Sequence, residues 1–125
     1  MSNIKYNEHE EAFELPYKIW GNTQTVRFYV EEESEIMNNL SVIAEKLAKV
    51  DESKTQIAAL LIDEGWYEGG NADALAKILK INNVYVDIDE DEIVACFETG
   101  TDDGYMQGMV KMELYGELFE AVGWV

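Results

Sequence analysis

A long amphipathic helix between two β-rich regions is the feature that most constrains the fold of this chain. Its apolar residues recur at spacings of four, three, four and three: Ile36, Leu40, Ile43, Leu47 and Val50. This period places them on one face of a helix, for which Ser34 is a suitable N-cap. Because that face must be buried, the helix requires a sheet or other helices against it.

Two further helices are predicted after the first. One begins near residues 51–53, includes the sequence QIAALLIDE and ends at Gly65. The other lies in NADALAKILKI after a pair of glycines, with Asn71 or Asp73 as its N-cap. Both are short and rich in aliphatic residues, so they are expected to pack on the same layer as the first helix.

β-rich runs flank the helical block. Before it, ELPYKIWGNTQTVRFYVEEE reads as a hairpin that turns at Gly21 and Asn22. After it come the runs NVYVDI, EIVACFE, YMQGMVKMELY and ELFEAVGWV. We therefore predict an α+β fold: an N-terminal β-hairpin, three helices, then a C-terminal four-stranded antiparallel meander, with the helices on one face of the sheet. Residues 1–125 are expected to form a single domain in which residues 1–12 are mobile.

The chain is strongly acidic, with 26 acidic and 9 basic residues and a formal net charge of -17. Such a surface repels nucleic acid and anionic membranes and attracts basic proteins. Between Lys80 and Lys111 lie eight carboxylates and no basic group, so the negative potential is expected to be strongest there. The sequence therefore predicts a basic protein partner, no direct nucleic acid and no membrane contact, and it leaves the oligomeric state open.

Compartment and chemistry are constrained by two rare residues. The single cysteine, Cys96, lies in an apolar run and is predicted to be a small buried hydrophobe; without a disulfide or a secretory leader, a cytoplasmic location is expected. The single histidine, His9, lies in the charged N-terminal segment, so no pair of a nucleophile with histidine is evident. We predict a non-enzymatic protein with no catalytic residues and no cofactor.

The acidic segment DIDEDEIVACFE resembles a calcium-binding loop in its spacing alone. Asp87 is its first position and Glu98 its twelfth, but Glu92 occupies the sixth, where such loops need glycine. A hairpin turn between two strands is the favoured interpretation, with no metal site assigned. A loosely bound divalent ion, with millimolar affinity at best, remains an alternative.

Two other loops carry candidate contacts. In TGTDDGYMQG, Asp102 and Asp103 with Gly104 favour a turn between strands. In DEGWYEGGN, Trp66 and Tyr67 either anchor a partner, as aromatic residues do at binding hot spots, or close the helical layer onto the sheet.

The C-terminal segment DDGYMQGMVKMELYGELFEAVGW resembles the ending of several uncharacterised small acidic bacterial domain families. These have an aspartate–glycine turn, a glycine that begins an alternating strand, a short turn, and a last strand ending in alanine, an aliphatic residue and glycine. Some members are presumed toxin-immunity proteins. This chain has Met109 where those domains often carry histidine, so no role of that histidine is carried over.

Three functions are consistent with these observations. The first is a non-enzymatic acidic binding protein that engages a basic protein partner, for example as an immunity-type inhibitor of a toxin. The second is a divalent-metal-dependent enzyme that uses carboxylates, and the third is a DNA mimic. For the first, the proposed contacts are the two acidic turns, with the Trp66 and Tyr67 loop as the other candidate surface: Asp89, Glu90, Asp91 and Glu92 in one turn, Asp102 and Asp103 in the other.

Overall fold

The computed structural model describes residues 3–90 and 92–125, and Asp91 falls outside this range. Within these residues the chain forms seven strands and four helices. In chain order they are β1 Lys5–Asn7, β2 Ala12–Ile19, β3 Asn22–Phe28, α1 Glu33–Met37, α2 Leu40–Glu52, α3 Lys54–Asp63, α4 Ala72–Ile78, β4 Lys80–Ile88, β5 Ile93–Gly100, β6 Val110–Tyr115 and β7 Leu118–Trp124.

All seven strands belong to one mixed sheet with the order β1-β2-β3-β4-β5-β6-β7. The predicted fold, with a separate hairpin and a four-stranded C-terminal meander, is therefore wrong. The two regions are joined by parallel pairing of β3 with β4, at Arg27 with Tyr85 and Phe28 with Val86. The helical block is the crossover that such parallel pairing requires. The other neighbouring strands pair antiparallel, so the protein has an α+β fold whose sheet is rich in antiparallel pairs.

The helical block contains four helices because the predicted first helix is interrupted at Asn38 and Asn39. Asn39 donates a side-chain hydrogen bond of 2.7 Å to the backbone oxygen of Glu35, which competes with helix continuation. The first helix is capped by Glu32, whose backbone N–H donates to the Glu35 carboxylate at 3.1 Å. Ser34, the predicted cap, lies inside α1.

The hydrophobic core lies between the helices and one face of the sheet. Alternate positions along the strands supply its sheet side, including Phe28, Val86, Phe97 and Met112. Phe97 is fully buried and makes edge-to-face contacts with Trp20 at 6.4 Å and Phe119 at 6.3 Å between ring centroids. The core therefore extends from the N-terminal hairpin to the last strand.

The opposite face carries a row of side chains in register across six strands: Glu14, Arg27, Tyr85, Cys96, Glu113 and Glu120. Arg27 and Glu14 form an ion pair at 3.0 Å. Cys96 is buried, as predicted, and this burial raises the pKa of its thiol to about 11. The thiol is therefore protonated at neutral pH and is a poor nucleophile.

One turn and one strand boundary differ in detail from their predictions. The hairpin between β2 and β3 turns at Trp20 and Gly21, both with positive φ, rather than at Gly21 and Asn22. Gly108, predicted to lie in a strand, precedes β6. At Gly100 a Cβ atom would lie 2.8 Å from Sδ of Met109, so this glycine permits the close approach of the segment that precedes β6.

No helix among the described residues is both long and apolar enough to cross a membrane. The predicted mobility of residues 1–12 stays a prediction, although Lys5–Asn7 of this segment pair with β2.

Candidate functional site

The loop after α3 and the turn after β5 meet at one end of the sheet, which the sequence did not predict. We call this region the aromatic–acidic surface and define it by seven residues: Trp66, Tyr67, Glu68, Asp102, Asp103, Tyr105 and Trp124. The loop begins where α3 ends, and the backbone N–H groups of Trp66 and Tyr67 both donate to the oxygen of Leu61, at 2.9 and 3.2 Å. These bonds satisfy a carbonyl at the end of the helix and fix the backbone from which both aromatic side chains extend.

Tyr67 joins the two segments directly. Its hydroxyl donates a 2.9 Å hydrogen bond to the Asp103 carboxylate, and its side chain is only 8% exposed. This hydrogen bond is the main cause of a raised Tyr67 pKa, since ionised tyrosine could not donate it. Tyr67 therefore holds the loop against the turn and has little surface left for a partner.

Asp103 is similarly engaged within the protein. Its other carboxylate oxygen accepts from the Thr101 hydroxyl at 2.6 Å and from the backbone N–H of Tyr105 at 3.1 Å. The bond from Thr101 is the largest cause of a lowered pKa for Asp103, with smaller contributions from Tyr105 and Tyr67. The turn chemistry predicted for this aspartate is thus present, together with a contact to the helical layer.

Asp102 is exposed and forms an ion pair with Lys80, which is also exposed. The fold thus places Lys80 next to a turn that lies, in the sequence, within a stretch that has acidic residues and no basic ones. A basic partner at Asp102 would compete with Lys80, and both side chains are free to rearrange because they are solvated.

Three aromatic rings of the surface surround a small pocket. Trp66 is half-buried and contacts Trp124 edge-to-face, with 5.2 Å between ring centroids. Trp124 is 40% exposed and Tyr105 is 63% exposed. Together with Glu68 these rings line a pocket of about 210 Å³.

The acidic turn between β4 and β5 lies at the other end of β5. Reciprocal backbone hydrogen bonds join Asp89 and Glu92, at 2.9 and 3.4 Å, and the N–H of Glu90 donates to the Asp89 carboxylate at 2.6 Å. The turn lies beside α1, because Glu35 and Asn38 line a groove with Asp89 and Glu90. Asp91, the remaining predicted contact in this turn, falls outside the described residues.

The segment that resembles a calcium loop folds as a β-hairpin. Glu98 pairs with Asn82, whereas Asp87 pairs with Val94, so the two carboxylates lie four residues apart along the ladder. Among residues 3–90 and 92–125, no three His, Cys, Asp or Glu side chains are grouped so that they could hold a metal ion.

A polar cleft lies between β3 and β4, and the sequence does not predict it. The two strands pair at only two positions and then diverge, leaving a cleft of about 570 Å³ lined by polar side chains that include Thr25, Arg27 and Glu98. A β-bulge follows Asn82, and Asn83 has a φ of 47° while donating to Glu98 at 2.8 Å. The adjacent asparagines within a β-rich run were the available signal.

No protein-family model matches the chain, and no similar curated protein or solved structure was found. The resemblance of the C-terminal segment to bacterial immunity-type domains therefore stays a prediction.

Proposed function

We propose that this protein is a non-enzymatic binding protein that engages a basic protein partner through the aromatic–acidic surface. The observation that carries the proposal is the placement of exposed rings, Tyr105 and Trp124, in one pocket with the carboxylate of Glu68. Asp102 adds a second exposed carboxylate on the turn that carries Tyr105. Tryptophan and tyrosine are enriched among the few residues that carry most of the binding energy at protein interfaces, whereas carboxylates select and steer a cationic partner. The proposal combines these two roles at one surface.

The charge balance supports the same partner class. Against 26 acidic residues the chain has 9 basic residues, and the ion pairs in the described structure engage only Glu14 and Asp102 among the carboxylates. The remaining carboxylates contribute to an uncompensated negative field. Such a field accelerates association with a cationic protein and loses its effect as salt screens it.

The second acidic turn extends the proposed contact. Asp89, Glu90 and Glu92 lie at the opposite end of β5, which has eight residues and therefore spans roughly 26 Å. An interface of ordinary size covers about 800 Å² on each partner, or roughly 30 Å across. One partner can therefore reach both turns, and between them β5 offers it only the half-buried side chains of Ile93 and Glu98.

We further propose that binding inhibits the partner, as in an immunity protein, and that the protein acts in the cytoplasm. The immunity role is supported by the resemblance of the C-terminal segment and by the acidic charge. The alternatives are a metal-dependent enzyme and a DNA mimic. No specific feature of the described surface supports either of them.

Capture from an extract of the native host tests the proposal. The wild-type protein is immobilised beside two variants that each remove two negative charges: Glu68→Gln/Asp102→Asn in the surface, and Glu8→Gln/Glu10→Gln in the connection between β1 and β2. We expect a basic protein that is retained by the wild type and the second variant, released by salt and lost from the first variant. Retention of the same proteins by all three versions would contradict the proposed surface.

Inhibition is tested separately with the captured protein. We expect its toxicity in a host cell to be suppressed by co-expression of the wild-type chain and restored by the Glu68→Gln/Asp102→Asn variant. Undiminished toxicity beside a confirmed complex would contradict the immunity role while leaving the binding function in place.

A further inference from the structure

We propose that the pocket lined by Trp66, Tyr105, Trp124 and Glu68 binds the cationic head group of an arginine or lysine side chain. This inference rests on the proposed function and deepens it, because it names the chemical group of the basic partner that enters the surface. The pocket, rather than the acidic turns, would then be the point at which the partner is anchored.

The arrangement of the rings is the first reason. Trp66 and Trp124 meet edge-to-face at an interplanar angle of 74°, so the two ring faces point in different directions, and both residues line the pocket. Tyr105 lines the pocket from the turn after β5. Aromatic faces attract cations through the ring quadrupole, and tryptophan is the most effective of them.

The carboxylates around the rings are the second reason. Glu68 lines the pocket and is exposed, and it has no basic residue within ion-pair distance in the described structure. Glu64 accepts a 3.1 Å hydrogen bond from Nε1 of Trp66, which fixes the orientation of that indole. An oriented ring beside a free carboxylate favours a cation over a neutral side chain of the same shape.

The other aromatic residues of the protein provide the third reason. In the described part of the chain, Lys54 lies 5.3 Å from the Trp20 ring and Lys111 lies 5.9 Å from the Tyr85 ring. These are the cation–π contacts that the chain makes with its own lysines, and neither involves a ring of this pocket. The pocket has a volume of about 210 Å³, enough for the end of one long side chain but not for a folded segment.

Titration with small probes tests the inference without the partner. The probes are Nα-acetyl-arginine amide and Nα-acetyl-lysine amide, with Nα-acetyl-citrulline amide as the neutral isostere of arginine and sodium chloride added to equalise ionic strength. Binding is followed by NMR of the three indole N–H groups. We expect saturable shifts of Trp66 and Trp124, with a dissociation constant on the order of 10 mM for a single side chain.

Trp20 is the internal control, because its Nε1–H donates to the backbone oxygen of Val50 at 3.0 Å, away from the pocket. Its resonance should not move. Equal shifts with the citrulline probe, equal shifts of all three indoles, or no saturable shift with either cationic probe up to about 50 mM would overturn the inference. The relative affinities of the two cationic probes identify which head group is preferred.

Two variants assign the binding to the pocket. Glu68→Gln should weaken the cationic probes about twofold to fivefold, as expected for loss of an exposed charge pair. Tyr105→Leu, at an exposed ring, should weaken them by a similar factor. Unchanged binding in both folded variants would contradict the pocket as the site.

The failures of the two proposals are distinguishable. If the probes do not bind but the Glu68→Gln/Asp102→Asn variant loses the captured partner, the pocket is not a cation site while the proposed function stands. If the probes bind but no basic protein depends on the surface, the pocket recognises cations and the proposed function is wrong.

Discussion

The hydroxyl of Tyr67 donates a hydrogen bond of 2.9 Å to the carboxylate of Asp103, across 36 residues of sequence. This bond attaches the loop that follows α3 to the turn that follows β5. It therefore positions Trp66 and Tyr105, which flank the bonded pair in sequence, around one pocket. The geometry of the proposed binding surface depends on it.

Replacement of Tyr67 by phenylalanine should change the pH dependence of stability at the alkaline end. The folded pKa of Tyr67 lies above its ordinary value of 10.0, so its stabilising contribution is complete below pH 10 and is lost as pH rises through the folded pKa. Tyr67→Phe should therefore be less stable than the wild type at neutral pH, and the difference should shrink at high pH. Urea denaturation between neutral pH and pH 11 measures the free energy of unfolding.

Replacement of Asp103 by asparagine should change the pH dependence of stability at acid pH. The folded pKa of Asp103 lies below its ordinary value of 3.8, so its contribution is present above that pH and is lost as pH falls through the folded pKa. The stability difference between wild type and Asp103→Asn should therefore shrink on acidification. Asp102→Asn, which changes an exposed aspartate of the same turn, is the matched control. Equal pH profiles for both variants would contradict the assignment.

Phe97→Ala should lower the free energy of unfolding by about 3–5 kcal/mol, because it leaves a cavity at a fully buried ring. Leu118→Ala, at a side chain that is 74% exposed, should change it by less than about 0.5 kcal/mol. Guanidinium denaturation followed by both fluorescence and circular dichroism gives the two values. Similar values for the two variants would place Phe97 outside the core.

Asn83 provides a test of backbone strain at the bulge. Its φ of 47° is unfavourable for alanine but not for glycine. Asn83→Ala and Asn83→Gly both remove the hydrogen bond to Glu98, so the difference between them isolates the backbone. We expect the glycine variant to be more stable than the alanine variant by about 1 kcal/mol, measured by urea denaturation. A more stable alanine variant would show that Asn83 does not adopt this conformation.

Calorimetric titration with calcium, magnesium and manganese addresses the enzyme alternative. Asp87 and Glu98 are four residues apart along the ladder, which separates them by roughly 13 Å. They cannot serve as the first and last ligands of one loop without rebuilding the hairpin. We expect no stoichiometric binding tighter than about 1 mM; tight binding of one ion per chain would revive the metal-dependent function.

Local features of the fold were predictable from the sequence. Asn71 caps α4 by accepting a 2.9 Å hydrogen bond from the N–H of Ala74, and the helix before Gly65 was predicted from its pattern. These features depend on neighbours in sequence, where propensity and capping chemistry act directly.

The features that were missed depend on distant pairs. The sheet is continuous because Arg27 pairs with Tyr85, far along the chain, and the parallel ladder there is only two residues long. The interruption at Asn39 was not anticipated because the apolar spacing continues across it. The sequence predicts that Trp66 and Asp103 belong to two alternative binding surfaces, whereas the tertiary fold brings them together in one.

The most direct test of the proposed function is the association rate of the captured partner as a function of salt. Stopped-flow or biosensor rates are compared for the wild type, Glu68→Gln/Asp102→Asn and Glu8→Gln/Glu10→Gln. We expect the first variant to associate about threefold to tenfold more slowly at low salt and the difference to vanish near 0.5 M, while the second stays close to the wild type. Equal rates for both variants, or rates independent of salt, would contradict binding through the aromatic–acidic surface.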